Sequence, residues 1–82
     1  MADPLDIPLR QLEYLVAVAD HSTWSAAAAS IGVSAPALSQ GLADLDRRLG
    51  VQLFDRQGRR RVLTDLAEPV LQHARNMQTM SH

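Results

Sequence analysis

A very short break between two helical patterns places the strongest constraint on the fold of this chain. The Ala-rich stretch from Trp24 to Ile31 has a helical composition and is followed by Gly32, a residue type that ends helices in the left-handed conformation. Ser34 can then cap a further helix, about Ala35 to Leu49, whose leucines recur at steps of four, three and four residues. Two helices joined by so tight a turn must brace each other directly.

The segments on either side complete a recognisable layout. Apolar residues at helical spacing predict a first helix from Leu9 to Asp20. After Gly50 the periodicity changes, and two short strands are predicted, Leu53 to Arg56 and Arg61 to Leu63, joined by residues 57–60. A two-stranded hairpin needs support from the helices. The predicted fold is therefore mainly α, a winged helix-turn-helix of three helices and a β-hairpin wing.

A fourth helical pattern follows the hairpin. Its apolar stripe consists of Leu66, Val70, Ala74 and Met77. Pro69 cannot sit inside a regular helix, so the helix either begins only near Glu68 or is kinked. The stripe either covers the domain's own core or forms a dimer seam, and its length favours the seam. We therefore divide the chain into a winged helix-turn-helix at 1–64 and a linker and dimerisation helix at 65–82.

Composition excludes several classes of protein. The chain has 82 residues and no cysteine, so it forms one small domain without disulfides or thiolate metal sites. Its histidines lack partners at ligand spacing, and no nucleophile motif or phosphate-binding loop is present, so we expect no metal, no cofactor and no enzymatic activity. Its apolar stretches are far shorter than the roughly 20 residues that cross a bilayer, and its start is polar. We expect a soluble, cytoplasmic chain without a membrane partner.

Charge is distributed unevenly along the chain, although the net charge is only −1. One Arg against six acids gives residues 1–46 a charge of 1 − 6 = −5, whereas six Arg against one Asp give residues 47–61 a charge of 6 − 1 = +5. All basic residues are Arg, which suits bidentate contacts to phosphate. The cluster by itself fits either a polyanion-binding surface or a solvated loop.

Several blocks of the sequence, in matching order and at matching intervals, resemble the N-terminal DNA-binding domain of LysR-type transcriptional regulators. The blocks are Leu9 to Ala19, Ala27-Ala28, Val33 to Ser39, Leu45, Leu49 to Arg56, and Leu63-Thr64. The resemblance implies a winged helix-turn-helix followed by a linker helix through which two subunits dimerise, or form a tetramer in the full-length protein. It also implies an effector-binding domain that is missing here, so we expect the chain to be either a piece of a longer protein, with its effector ligand bound in the missing C-terminal domain, or an isolated DNA-binding module.

Double-stranded DNA is the expected partner, and the residues divide into groups by their chemistry. Hydroxyl groups near helix N-termini can bond phosphate oxygens, and exposed residues of the third helix face the base edges. Arginines at the hairpin tip can enter the minor groove, and those beside it can hold the backbone. The residues predicted to bond phosphate oxygens are Thr23, Ser25, Ser34 and Ser39, and those predicted to face the bases are Ala35, Pro36, Gln40 and Ala43. The arginines predicted to enter the minor groove are Arg59 and Arg60, and those predicted to hold the DNA backbone are Arg56 and Arg61.

The third helix departs from the family pattern in being poor in long polar side chains. Ala35 stands where the family often has Gln, and Gly41 inside the helix should cost about 1 kcal/mol relative to Ala. More of the affinity should therefore rest on the wing. Arg47 and Arg48 lie near the C-terminus of the helix beside Asp44 and Asp46, so we expect them to offset the helix dipole or to pair locally rather than to reach DNA. We expect Trp24 to pack in the core.

These observations predict sequence-specific DNA binding by a dimer on a pseudo-palindromic site. The alternative is a winged-helix module that binds another protein through its acidic N-terminal half.

Overall fold

The structure is a computed structural model that describes residues 7–57 and 60–81, with side chains described at 7–55 and 62–79. It contains α1 (Leu9–Asp20), α2 (Trp24–Ser30), α3 (Ala35–Leu49), β1 (Phe54–Gln57), β2 (Arg60–Leu63) and α4 (Ala67–Ser81). The mainly α winged helix-turn-helix is confirmed, and α1 and α3 have the predicted bounds.

The core lies where α1 packs against the other three helices. Five leucines fill its centre with at most 1% of each side chain exposed: Leu15, Leu38, Leu42, Leu45 and Leu53. Burying one such side chain contributes roughly 1.5–3 kcal/mol. Because three of these leucines belong to α3, the inner face of that helix fixes its outer face in space.

The turn between α2 and α3 is a helix C-cap followed directly by an N-cap. Gly32 has a φ of +71°, and its N–H donates to Ala29 O while the Val33 N–H donates to Ala28 O. This pair of bonds is the Schellman arrangement, which requires a left-handed residue after the helix. The helix ends at Ser30, one residue earlier than predicted, because Ile31 already has the non-helical conformation of a cap.

The hairpin joins the helical body at its base. Leu53 is buried, and its N–H donates to Asp46 Oδ1 of α3 at 3.3 Å. Thr64 closes the other side by donating its hydroxyl to Gln52 O at 2.6 Å. In the register Phe54 pairs with Leu63 and Gln57 pairs with Arg60. The predicted four-residue connection at 57–60 was therefore too long, since Gln57 and Arg60 belong to the strands, and strand β1 starts at Phe54 rather than Leu53.

Helix α4 begins at Ala67, close to the predicted start near Glu68. Asp65 and Leu66 form a turn before it, with the Ala67 N–H donating to Thr64 O. Pro69 is the third residue of the helix, where a backbone N–H has no intrahelical acceptor, so its missing N–H costs no helical bond.

One side of α4 packs into the body. Ala67, Leu71 and Ala74 are buried against the core, and Arg75 pairs with Asp20 of α1 at 2.8 Å. Ala74 was assigned to a dimer seam, and this was wrong because its side chain is 0% exposed within a single chain.

Candidate nucleic-acid interface

The outward side of α3 carries most of the residues that the sequence assigned to the bases. Ala35, Pro36, Gln40 and Ala43 are exposed, and Ser39 is half-buried. Pro36, Gln40, Ala43 and Arg47 follow one another at steps of four, three and four residues, the spacing of one helical face. We call these four residues the outward stripe. Opposite it lie the buried leucines, so the stripe faces away from the body.

The hydroxyl-bearing residues predicted for phosphate lie at the N-terminal ends of α2 and α3. Thr23 Oγ1 accepts a hydrogen bond from the Ala26 N–H at 3.0 Å, and Ser34 Oγ accepts one from the Ala37 N–H at 3.2 Å. Each hydroxyl thus caps its helix as an acceptor and retains a hydrogen to donate. Ser25 is exposed in the first turn of α2. Thr23 and Ser34, two of the four predicted phosphate donors, are therefore also helix caps.

Gly41 explains an apparent weakness of α3. A Cβ atom at this position would lie 2.5 Å from two ring carbons of Tyr14, a buried residue of α1. Only glycine allows the two helices to approach this closely. The loss of helix propensity predicted from the sequence is real, but it permits the packing that holds α3 in place.

Asp44 connects α3 to α1 and to both basic residues of its own helix. Gln11 Nε2 donates to Asp44 Oδ2 at 2.6 Å, Arg48 Nε donates to the same oxygen at 2.7 Å, and Arg47 Nη2 donates to Oδ1 at 3.1 Å. The hydrogen bonds from Arg48 and Gln11 lower the pKa of Asp44 to about 2. Local pairing of Arg47 and Arg48 is confirmed. No pattern in the sequence indicates the bond from Gln11, which lies 33 residues away.

Aromatic contact joins α2 to the wing. The Trp24 and Phe54 rings meet edge to face with centroids 5.2 Å apart, and both are half-buried against the core, as we expected for Trp24. Beneath them, burial raises the pKa of Asp46, which accepts the Leu53 N–H. The base of the wing is thus held by packing and by hydrogen bonds to α3.

The predicted DNA-binding arginines follow the two strands of the wing. In the backbone register Arg56 pairs with Arg61, and Arg60 is the first residue of β2. Arg59 and the side chains of the other three lie outside the described part of the chain. Their assignment to DNA therefore stays a prediction.

The residues predicted for dimerisation divide between surface and core. Leu66 is 57% exposed, Met77 is 36% exposed and Val70 is half-buried, whereas Ala74 is enclosed. Among the described side chains, the exposed apolar side of α4, taken together with the turn before it, therefore consists of Leu66 in that turn and Val70 and Met77 in the helix.

Among residues 7–57 and 60–81, no group of acids and histidines is placed to hold a metal ion. None of the helices described is long and apolar enough to span a membrane.

A family model described as "Bacterial regulatory helix-turn-helix protein, lysR family" matches residues 9–68. Among curated relatives, the SDS degradation transcriptional activation protein of a Pseudomonas species is 42% identical over 69 residues, covering 84% of this chain and 22% of the relative. The RuBisCO operon transcriptional regulator of Allochromatium vinosum is 35% identical over 71 residues, covering 87% of this chain and 24% of the relative. The chain thus spans about a quarter of the length of these transcription regulators.

Solved structures show the same fold. Oxidized OxyR of Corynebacterium glutamicum superposes with a TM-score of 0.86 at 31% identity, covering 98% of this chain and 24% of that chain. The DNA-binding domain of BenM in complex with benA site 1 DNA superposes with a TM-score of 0.81 at 30% identity, covering 90% of this chain and 83% of that chain. The CbnR DNA-binding domain in its complex with DNA superposes with a TM-score of 0.81 at 34% identity, covering 90% of this chain and 85% of that chain. The similarity is to transcription regulators rather than to enzymes.

Proposed function

Since the chain belongs to the lysR family of bacterial regulatory helix-turn-helix proteins, we propose that it is the sequence-specific DNA-binding domain of a transcription regulator and that α3 enters the major groove. The observation that carries this proposal is the outward stripe on a helix whose other side is locked into the core. The DNA complexes formed by the BenM and CbnR domains, which share the fold, support it.

The helix reads bases mainly through short side chains. Gln40 alone in the stripe combines a donor and an acceptor, so it can make a bidentate contact to adenine. Ala35 and Ala43 offer methyl groups, which suit contact with a thymine methyl. Thr23, Ser25, Ser34 and Ser39 bond phosphate oxygens and fix the register of α3 on the duplex. Base recognition therefore depends on shape and on one amide.

The wing supplies most of the charge. Arg59 and Arg60 enter the neighbouring minor groove, and Arg56 and Arg61 hold the backbone beside it. If these four arginines neutralise phosphates, log affinity falls with log salt at a slope near −3.6 per subunit.

Two copies act together on a pseudo-palindromic site in the bacterial cytoplasm. The exposed apolar side of α4, formed by Leu66, Val70 and Met77, is the surface through which they dimerise. A two-fold axis then presents two α3 helices about one helical turn of DNA apart. The matched region covers about a quarter of the curated relatives, and in a regulator of their length an effector would bind outside that region.

Selection of bound duplexes from a random pool tests the DNA-binding function. The wild-type chain should enrich sites with two related half-sites, and Gln40→Ala should relax the preference at one or two positions in each half-site. Gln72→Glu, an exposed change on α4, serves as a control that keeps the selected sequence. Failure to bind any duplex at low salt would favour the protein-interaction alternative.

Sedimentation tests the dimer. Val70→Glu should shift the chain toward monomer because a charge enters the apolar side of α4. The control Gln72→Glu adds the same charge to the same helix outside the Leu66, Val70 and Met77 surface. Equal sedimentation of the two variants would remove this surface from the dimer.

A further inference from the structure

One carboxylate engages both basic residues of α3. Arg47 and Arg48 are the only basic residues between Ala35 and Leu49, and both donate to Asp44. Gln11 of α1 donates to the same carboxylate at 2.6 Å, so Asp44 is held from the neighbouring helix as well as from its own. Both guanidinium groups are therefore engaged in ion pairs with a residue of their own helix.

Arg47 nevertheless lies on the side of α3 that faces DNA in the proposed function. It is the last member of the outward stripe, one helical turn beyond Ala43, which corresponds to about 6 Å along the helix axis. Its side chain is 71% exposed, and it lines the same open groove between α1 and α3 as Gln40 and Ala43. The side chain of Arg48, by contrast, is 33% exposed and lies outside the stripe.

We propose that Asp44 is a specificity-determining residue that holds the Arg47 guanidinium away from the DNA backbone, so that α3 adds little sequence-independent charge to binding. The inference rests on the proposed function, because it assigns a role within the α3 and DNA interface.

The physical reason lies in what an additional arginine would do. A contact between Arg and phosphate carries no sequence information, and such contacts supply nearly all of the affinity for random DNA but only part of the affinity for a preferred site. The wing already supplies several arginines. An Arg47 released from Asp44 would raise the affinity for random DNA by a larger factor than the affinity for the preferred site. At the preferred site the base contacts already fix where the phosphates lie, so an additional phosphate contact forms less readily.

Asp44→Asn provides the main test, because the amide oxygen still accepts from Gln11 while the negative charge is lost. The probes are a duplex selected by the wild-type chain and a scrambled duplex of the same composition. We expect the salt slope on the scrambled duplex to steepen by at least about 0.9, the value for one added phosphate contact. The ratio of the two affinities should fall.

Three further variants show whether Arg47 causes the change. Asp44→Asn combined with Arg47→Gln should restore the wild-type slope, whereas Asp44→Asn combined with Arg48→Gln should keep the steeper one. Asp46→Asn is the matched charge control on the same helix, because its oxygen accepts the Leu53 N–H, whereas Arg47 and Arg48 pair with Asp44. It should leave the slope unchanged.

Two results would overturn the inference while leaving the proposed function intact. One is an unchanged slope for Asp44→Asn in a chain that gives the wild-type circular dichroism spectrum. The other uses the Arg47→Gln variant alone, which leaves the Asp44 carboxylate in place: a slope flattened by about 0.9 would mean that Arg47 already contacts phosphate. If the wild-type chain binds neither duplex, the proposed function itself fails.

Discussion

Helix α3 and the wing differ both in how they are held in the fold and in the charge they carry. The helix is held by three leucines that are at most 1% exposed, by a cap at Ser34 and by a close contact with Tyr14, yet its outward stripe contains a single long uncharged polar side chain. The wing is attached mainly at its base, through Leu53, Phe54 and Thr64, and its strands and connection contain four arginines.

The contrast shows that position and charge can be assigned to different elements. Reading bases requires a rigid element, because a hydrogen bond to a base edge tolerates little displacement. Attraction to phosphate is long-ranged and needs much less precision. A chain with a sparsely functionalised helix can therefore still bind DNA, provided that another element supplies the charge.

Removing charge from the wing should give the largest effect on binding. Arg59→Ala combined with Arg60→Ala deletes two phosphate contacts per subunit, so the salt slope should flatten by about 1.8, which corresponds to about a 60-fold loss at 0.1 M salt if the binding curves meet near 1 M. Filter binding over a series of salt concentrations measures it. Arg75→Gln, which breaks the pair with Asp20 instead, is the control. An unchanged slope in the double variant would contradict the division between helix and wing.

Adding a methyl group at Gly41 should disturb the position of α3. Helix propensity alone predicts that Gly41→Ala stabilises the chain by about 1 kcal/mol, but the clash with the Tyr14 ring costs about 1–3 kcal/mol, so we expect a net loss of up to about 2 kcal/mol. Urea unfolding distinguishes the two. In a Tyr14→Leu background the cost should shrink, because the ring is gone. A stabilised Gly41→Ala variant in the wild-type background would show that the helices can separate freely.

Lowering the pH should weaken the Asp44 contacts between α1 and α3, with a smaller effect on stability than Gly41→Ala. The pKa of Asp44 is lowered to about 2 from its usual value of 3.8, so the charged form contributes stability above pH 4 that is lost as the pH falls toward 2. Asp44→Asn should flatten the fall in stability between about pH 5 and pH 2, measured by urea unfolding.

Asp46 provides the control for the acid experiment, because its pKa is shifted in the opposite direction to that of Asp44. Burial raises its pKa, so Asp46 favours folding when protonated, and its contribution is lost as the pH rises through its folded pKa. Asp46→Asn should therefore leave the acid-induced loss in place. If Asp44→Asn and Asp46→Asn responded alike, the bond from Gln11 and the pairs with arginine would have no measurable effect on stability.

Local signals in the sequence were sufficient to predict most of the architecture. The bounds of α3 follow from Ser34 and Gly50, since a cap and a left-handed glycine act through their immediate neighbours. The tight turn before it follows from Gly32 in the same way. The hairpin connection was misjudged by one residue at each end, because pairing register depends on the partner strand as much as on the segment itself.

Long-range contacts explain what the sequence did not predict at the candidate interface. The approach of Tyr14 to Gly41 joins residues on different helices, and nothing in the pattern of either helix indicates it. The bond from Gln11 to Asp44 is equally invisible from spacing. Ala74 was misassigned for a related reason: a stripe of apolar residues shows that one side of a helix is covered, but not by which chain.

The packing of α4 against the helical core has a mechanical consequence. Because Ala67, Leu71 and Ala74 are buried and Arg75 pairs with Asp20, α4 is held against the helical body by contacts along its length and not only by the turn at its start. In the proposed DNA complex, a torque applied at the C-terminal end of α4 would therefore be passed through these contacts to the body that carries α3.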